Sequence, residues 1–205
     1  PVDPDAKRRA EHLVRAGIHI GLIDPLPGIR FMRRAREELV RAKDLERVAW
    51  CDGLFAYFAH NGTRVPGPVK LAERYMANYR RLLAHVKDPD PMVACLEPFM
   101  RGVTLQRSGR MEEAIGPLNQ TLTMLEEAGY GSTMESLYMH MHVIMHYIGL
   151  QELPSLERAL ARALSAADGA GDCTVHTHLA YCGALVDFYR GRLEEARRRM
   201  DELLA

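Results

Sequence analysis

The sequence predicts an all-α protein: an α-solenoid of about five antiparallel helix pairs wound into a right-handed superhelix. Three observations carry this. Proline and glycine cut the 205 residues into pieces of helical length. No stretch sustains two-residue alternation, and the one Asn-Gly dipeptide, Asn61-Gly62, is flanked by helical patterns rather than by the β-branched runs of a hairpin. Gly21, Gly62, Gly109, Gly149 and Gly191 recur about every 40 residues, the length of two helices and a turn.

The pairs are expected at roughly 5–43, 45–86, 90–128, 132–168 and 172–204, within a single repeat domain covering 1–205. The first pair, helices 5–22 and 27–43, is the most degenerate. The second, 45–60 and 67–86, starts on Asp44, which can accept a first-turn N–H, and carries extra turn residues from Thr63 to Gly67. In the third, 90–108 and 110–128, Glu97-Pro98 predicts a kink or a late start, because proline has no N–H to donate. Gly109 ends its first helix in the left-handed conformation that glycine adopts cheaply. The fourth pair, 132–148 and 152–168, has Ser132 and Ser155 as N-caps and Gly149 as its stop. The fifth, 172–190 and 192–204, has Asp172 as N-cap and Gly191 as its stop.

The sharpest internal match sets Gly109-Arg110-Met111-Glu112-Glu113-Ala114 against Gly191-Arg192-Leu193-Glu194-Glu195-Ala196. Glycine ends one helix, an apolar residue packs into the turn, two glutamates complement the positive end of the next helix, and alanine permits close approach. With Gly102 and Ala184 seven positions before these glycines, the units resemble the tetratricopeptide-repeat superfamily. His142 and Pro154 depart from the pattern around Gly149. The family repeat is about 34 residues. The longer units here resemble the helical-repeat regions of large bacterial signalling ATPases and LuxR-type regulators, and the Arg- and Ala-rich composition suits such a source. The resemblance implies a non-catalytic protein- or ligand-binding scaffold, the sensing region of a bacterial regulatory protein. The alternative is a self-assembly module, and a metal-dependent all-α enzyme using the histidine-rich region stands behind both.

Composition narrows the field further. Lys plus Arg and Asp plus Glu each number 27, which argues against a general nucleic-acid or membrane-surface binder, since both need a basic excess. No apolar run approaches the roughly 20 residues of a membrane span. Cys51, Cys95, Cys173 and Cys182 are far apart and form no Cys-x-x-Cys pair, so they read as buried thiols of a reducing, cytoplasmic protein. Opening on Pro1, the chain reads either as processed or as a piece of a longer one.

No chemical motif stands out. His140-x-His142-x-x-x-His146 has metal-ligand spacing, but no acid or cysteine accompanies it and Met139, Met141 and Met145 are interleaved, as on a packing helix. No phosphate loop, dinucleotide fingerprint or nucleophile elbow is present, so no cofactor, metal or catalytic residue is expected. Arg33-Arg34, Arg80-Arg81 and Arg197-Arg198-Arg199 read as solvated outer faces, balanced by Glu37, Glu38, Glu194 and Glu195.

In the resembled family, ligands lie on the first helix of each pair. Counting offsets back from the glycines gives a candidate inner groove. Its binding residues are Phe99, Gln106, Arg107, Met139, His146, Tyr147, His178, Tyr181, Phe188 and Tyr189, with Arg15, Ile18, His19, Asp52, Ala56 and His60 towards the N-terminus. Aromatic anchors there suit an amphipathic peptide or protein partner, or a small apolar ligand. The last helix carries an apolar stripe, Leu193, Ala196, Met200, Leu203 and Leu204, up to the final residue. The expected cover is further chain, or a homodimer through the C-terminal helix.

Overall fold

The computed structural model describes residues 4–23, 25–61, 68–168 and 173–204, and every regular element among them is a helix. The chain forms two compact units, Pro1–Met100 and Arg101–Ala205. The expected turn at Gly62, the segment Thr63 to Gly67 and the expected cap Asp172 lie outside the described residues.

In the N-terminal unit, α1 (Pro4–Ile23) packs on α2 (Pro25–Arg41), α2 on α3 (Leu45–Asn61), and α3 on α4 (Pro68–Leu83). Helix-spaced apolar residues explain the first contact: Ala10, Val14 and Ile18 on α1 are buried, as are Met32, Ala35 and Leu39 on α2. Glycine sets how close the two helices come. A Cβ on Gly28 would stand 2.4 Å from Gly21 Cα and 2.6 Å from Gly17 O. Gly21, which marks the repeat spacing and falls within the helix expected at 5–22, therefore lies inside α1 as a packing residue. Helix α3 is buried on all sides from Cys51 to His60, consistent with its almost continuously apolar sequence. Asp44 caps it as expected, accepting from Arg47 N–H at 3.1 Å.

The helix expected at 90–108 is divided into α5 (Pro91–Ala94) and α6 (Leu96–Arg107). Pro98 has no N–H to offer Ala94 O, four residues back. The buried Tyr79 hydroxyl of α4 supplies a donor instead, 2.9 Å from Val93 O and 3.3 Å from Ala94 O. Asp90 caps α5 through Met92 N–H at 2.9 Å.

In the C-terminal unit, α7 (Met111–Glu127), α8 (Met134–Leu150), α9 (Leu153–Ala167), α10 (Cys173–Tyr189) and α11 (Leu193–Leu204) each pack on the next, and α8 also touches α10. Buried Leu118, Leu122 and Leu125 on α7, Leu137 and Ile144 on α8, and Leu156, Leu160 and Ala163 on α9 make the core. Gly109 and Gly191 both adopt φ +76°. After each, the next residue's N–H returns to a carbonyl five residues back, Arg110 to Leu105 at 3.0 Å and Arg192 to Asp187 at 2.9 Å. Ala114 and Ala196 are buried, as the repeated motif requires.

Three expected boundaries move. Thr133 rather than Ser132 caps α8, accepting from Ser136 N–H at 3.3 Å. Ser155 lies inside α9, which starts at Leu153. Gly149 lies inside α8, and Gln151 takes the left-handed position with φ +56°. The missing side chain of Gly149 leaves room for Met111, whose Cε is 2.8 Å from where a Cβ would stand.

At Gly102 on α6, a Cβ would meet Leu118 Cγ at 2.6 Å. Gly102→Leu is therefore expected to destabilise the C-terminal unit by about 1–3 kcal/mol, the range for overpacking a tight core. Urea unfolding checks this, and unchanged stability would contradict the α6–α7 register.

Candidate functional site

Helix α10 buries one face and shows the other. Leu179, Cys182 and Val186 are buried. His178, Tyr181, Leu185 and Phe188, at helical spacings of three and four, fall on one stripe, with Tyr189 beside it. Tyr181 is 42%, Phe188 56% and Tyr189 41% exposed, and Leu193 at the start of α11 is 58% exposed. The Phe188 and Tyr189 rings meet edge to face with centroids 5.8 Å apart, and His178 is exposed with them. Asp187, on the inner side, is almost fully buried. Its carboxylate accepts from Arg192 Nε at 2.9 Å and lies 2.8 Å from Arg199 Nε, which ties α10 to α11 behind the stripe.

The remaining groove residues are placed differently. Phe99 belongs to the N-terminal unit and is buried against Tyr57, centroids 5.4 Å apart. Met139, Val143 and His146 are buried on α8. Gln106 is half-buried and holds His146, its Nε2 3.1 Å from His146 Nδ1 and 3.4 Å from His142 O. Arg107 is exposed. Tyr147 is half-buried and lines a cavity of about 180 Å³ with His140, Asn119 and Arg158, between α7, α8 and α9. Asp52, Ala56, His60 and Ile18 are buried, Arg15 is exposed, and the His19 side chain lies outside the described set. Of the ten binding residues, the exposed ones are thus Arg107 and the α10 set: His178, Tyr181, Phe188 and Tyr189.

Among the described residues, no three His, Cys, Asp or Glu side chains converge in a way that could hold a metal ion. Burial, and then the Arg162 guanidinium, push His140 down to about 4, with Glu126 3.8 Å away opposing them. Burial alone takes His142 down to about 4, and it also lowers His146. Two of the thiols are held in the protonated form by burial, which raises Cys51 to about 12 and Cys182 to about 11.

A stability prediction follows from His140, which is 1% exposed. Its folded-state pKa is depressed, so the unfolded chain takes up a proton below pH 6.5 while the folded chain stays neutral until about pH 4. Stability should therefore fall as pH drops through that window, by on the order of 2–3 kcal/mol from this residue. Urea titrations at pH 7.5 and 4.5 measure it, and His140→Gln should reduce the dependence by this share while the parts due to His142 and His146 remain.

A second feature was not legible in the sequence. In the N-terminal unit a cleft of about 640 Å³ is lined by Arg33 and Arg36 of α2, Phe55 of α3, and Leu71, Arg74, Tyr75, Ala77, Asn78 and Arg81 of α4. Arg36 is bound to buried Asp52, Nε to Oδ1 at 2.6 Å and Nη2 to Oδ2 at 3.1 Å. Asn78 Nδ2 also donates to Asp52, and Arg81 Nη2 donates to Asn78 Oδ1 at 2.7 Å. Phe55 and Tyr75 stack with centroids 5.1 Å apart. The spacing of Leu71, Arg74, Tyr75, Asn78 and Arg81 on one face of α4 was there to be read. That Arg33 and Arg36 of α2 share their cleft depends on tertiary packing. Arg33 and Arg81 are thus exposed, as expected for their clusters, but line a concavity and pair with no acid among the described residues, whereas Arg80 pairs with Glu97 at 2.8 Å.

No protein-family model matches the chain, and no curated protein is significantly similar to it.

Proposed function

We propose that the chain is a non-catalytic binding scaffold of the tetratricopeptide-repeat type, built from antiparallel helix pairs in a solenoid, and the sensing or interaction region of a bacterial regulatory protein working in the cytoplasm. Its partner is a protein or peptide that presents apolar side chains to the α10 stripe. The observation that carries this reading is the exposure of Tyr181, Phe188 and Tyr189 on a helix whose opposite face is firmly packed. Aromatic residues held on a rigid element are the usual anchors of an interface, because they contribute large contact area at low entropic cost. The two matching glycine turns and the consecutive packing of α7 to α11 support the repeat reading. Selecting peptides from a random display library on the full chain tests it. Peptides with helically spaced apolar residues should emerge and be lost on a Tyr181→Ala/Phe188→Ala/Tyr189→Ala variant; equal binding to that variant would refute the reading.

Leu193 and the half-exposed Met200 and Leu203 of α11 favour a second reading, in which another copy of the chain covers this edge. Sedimentation equilibrium at rising concentration separates the two. A dimer that dissociates on Leu193→Asp supports assembly, and a monomer throughout opposes it.

A further inference from the structure

We propose that the arginine-lined cleft of the N-terminal unit is a second binding site, independent of the α10 stripe, which takes a small organic phosphate bearing a flat ring, of the nucleoside mono- or diphosphate class. Charge is the first reason. Four guanidinium groups line the cleft, and no acidic side chain is among its described lining residues. The Asp52 carboxylate behind it neutralises one of them, Arg36. Arg81 is oriented by a neutral amide, Asn78. Arg33 and Arg74 have no hydrogen bond or ion pair among the described residues, although Glu37 and Glu38 follow Arg33 in sequence and Glu38 pairs with Arg41 at 3.0 Å. Among the described residues, three of the cleft's positive charges therefore have no acidic partner. A lone carboxylate would answer only one of them, whereas a phosphate monoester brings about −1.5 to −2 charge and three acceptor oxygens. Guanidinium forks suit such oxygens.

Shape is the second reason. The volume of about 640 Å³ lies in the ordinary range for small-molecule sites. Tyr75 is half-exposed and backed by the buried Phe55, so its ring is held in place. Leu71, 45% exposed, supplies an apolar wall on the same face of α4. A ring stacked on Tyr75 and a phosphate among Arg33, Arg74 and Arg81 would use both halves of the cleft. The Arg36–Asp52–Asn78–Arg81 chain fixes the floor beneath them.

Calorimetric titration of the full chain with adenosine diphosphate, adenosine monophosphate, adenosine, inorganic phosphate, citrate and a short single-stranded oligonucleotide tests the proposal. The two nucleotides should bind and adenosine should not, with affinity falling as ionic strength rises. Arg33→Gln and Arg74→Gln should each weaken nucleotide binding about 10-fold, as loss of a charge-assisted contact does. Because neither side chain holds the fold together, their circular dichroism and unfolding curves should match the wild type. Tyr75→Leu should weaken the nucleotides but leave binding of inorganic phosphate unchanged. Failure of both nucleotides to bind at millimolar concentration overturns the proposal. So does binding that survives the Arg33→Gln/Arg74→Gln double variant. Tighter binding of citrate or of the oligonucleotide than of adenosine diphosphate would equally overturn the assignment of ligand class.

Discussion

Gly28→Ala is expected to destabilise the N-terminal unit by about 3 kcal/mol, the upper end of ordinary overpacking. The new Cβ would stand 2.4 Å from Gly21 Cα, 2.6 Å from Gly17 O and 2.6 Å from Gly21 N. All three are backbone atoms, so no side chain can rotate away and the two helices must separate. At Gly102 the two nearest atoms, Leu118 Cγ and Cδ2, belong to a side chain and the nearest backbone atom, Ala114 O, stands 3.3 Å away, so there the small change to alanine should be milder than at Gly28. Urea unfolding of Gly28→Ala and Gly102→Ala side by side checks the ranking. A Gly28→Ala protein as stable as the wild type would mean that α1 and α2 do not cross at these glycines.

The second large effect is expected at Asp52. Its carboxylate is fully buried and receives both the Arg36 fork and the Asn78 amide. Asp52→Ala strands two donors beside a cavity. Breaking a buried pair from one side costs about 3–5 kcal/mol, and the 31% exposure of Arg36 places this case at the lower end, since the guanidinium can regain some water. Replacing both partners at once, Asp52→Leu with Arg36→Met, should recover most of the loss, because no buried charge is then left alone. Thermal unfolding of the single and double variants measures this, and a double variant no better than the single would show that the residues act through packing.

The helices were legible in the sequence because their signals are local. Asp44 caps α3, Gly109 and Gly191 close α6 and α10, and Pro98 interrupts the helix around it, each through backbone chemistry that needs no distant partner. The misread positions are those where one residue type serves two purposes. Gly149 was expected to stop a helix and Gly21 only to mark the repeat spacing, yet each is used for the space it leaves, for Met111 and for Phe58. Gln151 takes a left-handed conformation that its residue type gives no reason to expect. The candidate site was legible where one helix face was enough: the α10 stripe is a single periodic run. It was illegible where three helices had to be brought together, as at the arginine cleft. Likewise, nothing in the spacing of Met139 and His146 distinguishes a residue that faces a groove from one that faces a neighbouring helix, and both are buried.

The central claim, that a partner docks on the exposed face of α10, is tested most directly by hydroxyl-radical footprinting of the full chain, alone and with a display-selected peptide bound. Oxidation of Tyr181, Phe188 and Tyr189 should be high in the free chain and fall several-fold in the complex, while buried Tyr79 stays unlabelled in both. Unchanged labelling of those three side chains in a saturated complex would contradict the claim.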